Sequence, residues 1–193
     1  MGPPGLWVLL PLLLLGAPAR PDGPGSLCDP RVLERFIREA QDTERGLAGC
    51  GSACDLPEPV PVPDPGVNFN DWRQLDASRR GWQVAGGQAV LVAAVLRARE
   101  LLPAPGLRPA LDRTYSAVRS LAHLLRRLRP QVTGPGGSGG VWGDLGARGG
   151  LGGAPGAGPP PAVPVRSLPR LLRAHASFLR GKVRLFLADA CPR

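Results

Sequence analysis

Cys28-Asp-Pro-Arg-Val-Leu-Glu-Arg-Phe-Ile-Arg-Glu-Ala40, set against the distant Arg180-Gly-Lys-Val-Arg-Leu-Phe-Leu-Ala-Asp-Ala-Cys191, decides the fold. Asp29 followed by Pro30 is a helix start: a carboxylate at the N-cap, then a residue whose missing N–H costs nothing at the first position. Leu33, Phe36, Ile37, Ala40 and Leu47 then recur at helical spacing, while Arg31, Glu34, Arg35, Arg38, Glu39 and Asp42 fill the opposite side. Near the other terminus, Ser167-Leu-Pro169 opens a helix that places Leu168, Leu172, His175, Leu179 and Phe186 on one side and ends near Ala188.

Two more helical stretches lie between these. One runs from Asn70 to Leu102, with Trp72, Leu75, Trp82, Leu91, Val95 and Leu96 as its apolar stripe; Gly81, Gly86 and Gly87 weaken its middle. Pro103-Ala-Pro-Gly106 breaks it. The next runs from Pro109 to Leu128, with Leu111, Tyr115, Val118, Leu121, Leu125 and Leu128 inward. The segment Pro57-Glu-Pro-Val-Pro-Val-Pro-Asp-Pro65 cannot be helical and reads as extended. Residues 129–165 are Gly- and Pro-rich with little apolar content, and are expected to form a mobile loop.

Four helices joined by long, short and long connections restrict the topology. The short middle connection makes its two helices antiparallel. The first connection has about 23 residues and can reach roughly 70 Å when extended, whereas a 17-residue helix is only about 25 Å long. Both long connections can therefore cross the whole bundle. The four cysteines lead to the same arrangement. Cys28 and Cys50 flank the first helix at opposite ends, about 30 Å apart, and a disulfide needs Cα atoms within about 7 Å. Cys54 is only four residues beyond Cys50, so the pairing left is Cys50–Cys54 with Cys28–Cys191. That second bond requires the first helix to start where the fourth ends. The expected fold is all-α: an up-up-down-down long-chain four-helix bundle with two long crossovers and two disulfides.

The chain opens on an uncharged apolar run, Leu6 to Gly16, of roughly 11 residues, too short to span a bilayer and suited to a signal-peptide core. Ala17 and Ala19 supply a cleavage pattern, so residues 1–19 are expected to be a signal peptide and 20–193 the bundle domain, secreted and not inserted in a membrane. Secretion also favours disulfides over a metal site. Cys50-x3-Cys54 has no second cysteine pair, and His123 and His175 lie far off in sequence. The net charge of +9 raises polyanions or an acidic protein surface as partners. No nucleic-acid motif accompanies it, and nucleic acid is not an expected partner. No HExxH motif or phosphate-cradling glycine loop is present, and the GxSxG match at Gly136–Gly140 is part of the low-complexity glycine run, with no apolar strand pattern before it, so neither an enzyme nor a cofactor is expected.

Several segments, in order, carry a resemblance to a known family. They are Cys28-Asp-Pro-Arg-Val-Leu-Glu-Arg35, Cys50-x3-Cys54, Val67-Asn-Phe69 with Trp72, Ala94-Val-Leu-Arg97, Val118-Arg-Ser-Leu121 with Leu124-Leu-Arg126, and Phe178-Leu-Arg-Gly-Lys182 ending at Cys191. The chain resembles the erythropoietin/thrombopoietin family of long-chain four-helix cytokines, over all of the mature chain except the glycine-rich loop. The tight Cys50–Cys54 pair and Val-Asn-Phe favour the erythropoietin branch. The resemblance implies a secreted hormone that holds two copies of a single-pass receptor, one ligand to two receptors. This brings together the receptors' associated tyrosine kinases, driving survival, proliferation and differentiation of erythroid precursors.

Two receptor faces follow from the same resemblance. The stronger combines Val67, Asn68 and Phe69 in the first crossover with Arg173, Ser177, Arg180, Gly181, Lys182 and Leu185 on the fourth helix. The weaker combines Val32, Arg35 and Phe36 on the first helix with Arg113, Ser116, Arg119, Ser120 and Leu124 on the third. Gly181 within a helix is expected to mark close approach by a partner. Family members commonly carry N-linked glycans, but the only asparagines, Asn68 and Asn70, lack the N-x-Ser/Thr pattern. A thrombopoietin-like cytokine and a basic protein that binds a heparin-like polyanion are the alternative readings.

Overall fold

A computed structural model describes residues 26–132 and 160–191. The expected signal peptide and most of the Gly- and Pro-rich segment, residues 133–159, lie outside the described residues. The first helix, α1 (Pro30–Gly46), starts where the sequence places it: the Asp29 carboxylate accepts from the Arg31 backbone N–H at 2.9 Å. Leu33, Phe36, Ile37 and Ala40 face the core. A short 3₁₀ turn (Gly51–Cys54) follows, then strand β1 (Asp55–Pro63), helix α2 (Phe69–Gln74) and helix α3 (Ala77–Leu101). Helix α4 (Arg108–Val132) leads towards strand β2 (Ala162–Ser167). The fourth bundle helix is continuous but has three parts: α5 (Leu168–Phe178), a π turn (Leu179–Val183) and α6 (Arg184–Ala190).

Side-chain pairs give the helix directions. Arg173 Nη2 pairs with Glu44 Oε1 at 2.8 Å, and Arg184 pairs with Glu34, so α1 and the fourth helix run antiparallel. Arg80 Nη1 meets Asp189 Oδ2 at 2.6 Å while Gly87 abuts Phe178, which makes α3 antiparallel to the fourth helix as well. Arg99 pairs with Asp112 at 2.7 Å, and Gln88 Nε2 donates to the Val118 carbonyl at 2.7 Å, so α3 and α4 are antiparallel. The result is up-up-down-down. Cys28–Cys191, with Cα atoms 5.4 Å apart, joins the start of α1 to the end of the fourth helix, and Cys50–Cys54 closes its four-residue ring.

Three expectations need correction. The stretch from Asn70 to Leu102 is two helices, because the Asp76 carboxylate accepts from the Arg79 backbone N–H at 2.7 Å and caps a new start. Leu96, read as part of the inward stripe, is exposed. The extent of the expected loop is also too long: α4 continues to Val132, and Ala162–Val165 belong to β2. The two crossovers pair as an antiparallel ribbon, with Val60 opposite Val165, Pro61 opposite Pro164 and Val62 opposite Val163. The proline-rich run can do this because side chains alternate along a strand: Val60 and Val62 are buried against the bundle, and Pro59 and Pro61 face outward. Prolines are tolerated in a two-stranded ribbon, where both strands are edges.

The glycines of α3 make room for the fourth helix. A Cβ at Gly87 would lie 2.6 Å from both Cε2 and Cζ of Phe178, a fully buried ring. Gly87→Ala gains roughly 1 kcal/mol of helix propensity but overpacks the core by about 1–3 kcal/mol. A net loss of stability is expected, measured as a lower denaturant midpoint; an unchanged or higher midpoint would show that Phe178 can move aside.

His175 is buried in the same core, and neither ring nitrogen has a hydrogen-bond partner among the described residues. Desolvation pushes its pKa down to about 4 from the ordinary 6.5. The folded state therefore resists protonation that the unfolded chain accepts. Stability is full above pH 6.5 and falls as pH drops towards 4, by a total of about 3 kcal/mol. Urea unfolding of His175→Leu across this range is expected to lose that component of acid sensitivity; wild-type steepness in the variant would contradict it.

Candidate binding faces

The first crossover is held against the fourth helix at the π turn. In that turn Gly181 comes so close to the crossover that a Cβ would lie 3.2 Å from Val67 Cγ2 and 3.4 Å from the Pro65 carbonyl oxygen. The chain itself thus approaches Gly181 closely, from the crossover side. Lys182 is buried, and its Nζ donates to the Asp64 carbonyl at 2.9 Å. Burial pushes the Lys182 pKa down, and the nearby Asp64 carboxylate pulls the other way. A lysine in this position tethers the crossover, and little of its side chain is accessible.

Beyond the tether the chain turns outward. The Asn68 side chain accepts from the Asn70 backbone N–H at 3.0 Å and caps α2, leaving Phe69 at the helix start 61% exposed, an unusual position for a large aromatic ring. Trp72, one turn later, is buried. Arg80 secures this corner, donating to the Trp72 and Arg73 carbonyls at 3.1 Å each while ion-paired to Asp189. A cleft of about 460 Å³, lined in part by Val67, Asn68, Trp72 and Lys182, lies at the crossover. Along the fourth helix, Arg180 is exposed, with Nη2 3.4 Å from the Ser177 hydroxyl; Ser177 and Leu185 are half-buried. Arg173 is exposed but belongs to the α1 side through its pair with Glu44. The structure therefore brings Val67, Gly181 and Lys182 together, and ties Arg173 to a different helix.

Among the residues of the second expected face, Arg35, Arg113, Ser116, Arg119 and Ser120 are exposed, and Val32 and Leu124 are half-buried. Phe36 is a core residue, only 4% exposed, with the Arg35 guanidinium 5.8 Å from its ring centroid. It can shape this face only through packing. Arg119 is held in place. Its guanidinium lies 5.5 Å from the Tyr115 ring centroid, and its Nη1 is 3.3 Å from the Tyr115 hydroxyl. Arg99, anchored on Asp112, approaches the same ring at 5.1 Å. Cation–π contact of this kind reduces the rotamer freedom that arginine would lose on binding. Tyr115, Arg99 and Asp64 were absent from the sequence-derived faces. Tyr115 and Arg119 lie four apart on one helix, a usable signal; the approaches of Arg99 to Tyr115 and Lys182 to Asp64 have no local signature.

Comparison with known proteins adds the decisive observation. The model of the erythropoietin/thrombopoietin family matches residues 25–142. The chain belongs to this family. It is 36% identical to the erythropoietin of Equus caballus, over 98% of this chain and 95% of the relative. It is equally identical to that of Oryctolagus cuniculus, over 100% of this chain and 98% of the relative. The erythropoietin of Bos taurus is also 36% identical, over 93% of this chain and 87% of the relative. Family membership makes the chain a helical cytokine, not an enzyme, and implies a cytokine receptor as its partner. No helix among the described residues is long and apolar enough to cross a membrane.

The tether at Lys182 can be tested directly. Lys182→Met keeps most of the aliphatic stem but removes the donor to the Asp64 carbonyl, at a cost of about 1–3 kcal/mol if that carbonyl stays unpaired. Amide exchange is expected to accelerate across residues 64–68 and to stay unchanged in the core of α4. Unaltered exchange in the crossover would show that Lys182 does not hold it.

Proposed function

We propose that this chain is a secreted, erythropoietin-like hormone that dimerises a single-pass cytokine receptor through two faces. One receptor copy meets the crossover and fourth helix, at Val67, Asn68, Phe69, Ser177, Arg180 and Leu185, with Gly181 and Lys182 beneath as supports and Arg173 at the α1 margin. A second copy meets Val32 and Arg35 on α1 together with Arg113, Ser116, Arg119, Ser120 and Leu124 on α4. Bringing the two receptors together activates their associated tyrosine kinases and drives erythroid precursor survival, proliferation and differentiation. The observation that carries this reading is near-full-length similarity to erythropoietins in a bundle with two separate candidate faces. Exposed Phe69 supplies the kind of aromatic anchor that dominates interface energetics, and pre-positioned Arg119 supplies another.

Arg119→Ala is the test. Arg119 is exposed and contributes nothing to the core, so the variant is expected to fold normally and bind one receptor copy as tightly as wild type. It should fail to recruit the second copy, with loss of most signalling in erythroid precursors. Full signalling by the folded variant would remove Arg119 from the second face. Growth of megakaryocytic instead of erythroid precursors by the wild-type protein would shift the activity to the thrombopoietin-like alternative.

A further inference from the structure

The chain's positive charge is unevenly neutralised. Helix α1 carries four arginines and four acids, and is balanced within itself. All four arginines of α3, at positions 79, 80, 97 and 99, are ion-paired. On the fourth helix, Arg173 and Arg184 pair with α1 and Lys182 is buried, which leaves Arg170 and Arg180, ten residues apart, exposed without a carboxylate partner among the described residues. Helix α4 is different. It carries six arginines and one acid, a surplus of five out of the chain's net nine positive charges. Its acid, Asp112, is paired with Arg99 of α3. Among the described residues, Arg113, Arg119, Arg126 and Arg127 have no carboxylate partner, and all are exposed.

Three of these arginines are also aligned. Positions 119, 123, 126 and 127 are related by i, i+4, i+7 and i+8, so Arg119, His123, Arg126 and Arg127 share one solvent-facing side. The run from 119 to 127 is about 12 Å long, and Arg113, about 120° round the helix from Arg119, lies beside it. We infer that this stripe of α4 is a docking surface for a sulfated polysaccharide. Guanidinium groups offer fork-shaped donors suited to oxyanions such as sulfate, and a linear polyanion can follow a helix edge without a pocket. Other polyanionic partners fit less well. Tyr115, the aromatic residue of α4, is half-buried between Arg99 and Arg119, which leaves no platform for stacked bases. The exposed large apolar residues among those described are Phe69, Leu96 and Val163, none on α4, so the stripe has nothing to insert into a lipid surface.

Arg119 belongs to this stripe and to the proposed second receptor face. Polysaccharide and second receptor should then compete for it; that consequence rests on the receptor reading, whereas polysaccharide binding does not. The test uses heparin as the probe and no receptor. Wild-type protein should remain bound to immobilised heparin at roughly physiological ionic strength, about 0.15 M salt. Arg126→Ser/Arg127→Ser should weaken binding at least tenfold and reduce the slope of log affinity against log salt by about two, one for each lost contact. Arg31→Ser/Arg38→Ser removes the same charge from exposed α1 positions and should leave most of the affinity intact. Equal losses in the two double variants would reduce the effect to overall charge. Elution of wild-type protein below physiological salt would overturn the inference outright.

Discussion

The antiparallel contact between α1 and the fourth helix is the constraint on which the rest depends. Their facing apolar sides bury Leu33, Phe36 and Ile37 against a helix whose Leu171, Leu172 and Phe178 are sealed from solvent. At roughly 1.5–3 kcal/mol for each large apolar side chain buried, this seam outweighs its exposed ion pairs, Glu34–Arg184 and Glu44–Arg173. The ion pairs fix the register; the leucines and phenylalanines supply the stability. Cys28–Cys191 then closes the end of the seam, across a sequence separation of 163 residues. A cross-link over so long a loop removes much of the unfolded chain's freedom, up to about 5 kcal/mol by loop-closure entropy.

Because α1 is parallel to α3 and α4 is parallel to the fourth helix, the crossovers must each travel the length of the bundle, and they meet. Pairing Val60 with Val165 turns two long connections into one ribbon packed on α3 and α5. The ribbon leads the first crossover towards the π turn, where Gly181 admits Val67 and Lys182 holds the Asp64 carbonyl. π turns are often found at functional sites because the extra residue redirects the side chains that follow. Here the widened turn accommodates the crossover beside the helix. The exposed Phe69 lies five residues beyond Asp64, whose carbonyl the buried Lys182 holds. On α4, Arg119 packs on an aromatic ring that is also approached from the neighbouring helix.

Residues for which the sequence reading assigned a direct binding role thus divide into two groups. Phe36 and Lys182 are buried and Gly181 is half-buried against the crossover, whereas Phe69, Arg35, Arg113, Arg119 and Arg180 are exposed. Periodicity could not make this division for Lys182 and Gly181. A lysine in a helix reads as solvent-facing by default, and only the approach of a distant carbonyl makes its burial affordable. Similarly, Gly86 and Gly87 read as weaknesses of α3, whereas Gly87 is the point where Phe178 enters.

The four bundle helices, the faces of α1 and α4, both disulfides and the bundle topology were legible in the sequence. Each follows from rules that act over short spacing or from arithmetic on length: the 3.6-residue period, caps such as Asp29-Pro30, and the reach of a chain relative to the length of a helix. The split between α2 and α3 was also a local matter, in the cap at Asp76, but the apolar stripe running on past it concealed the break. What only the tertiary structure decided is how remote segments meet. The pairing of the two crossovers, the tether from Lys182 to Asp64 and the clamp on Tyr115 join groups that no periodic pattern relates. Their energies depend on desolvation and on distances of a few ångströms, which exist only after the four helices have packed.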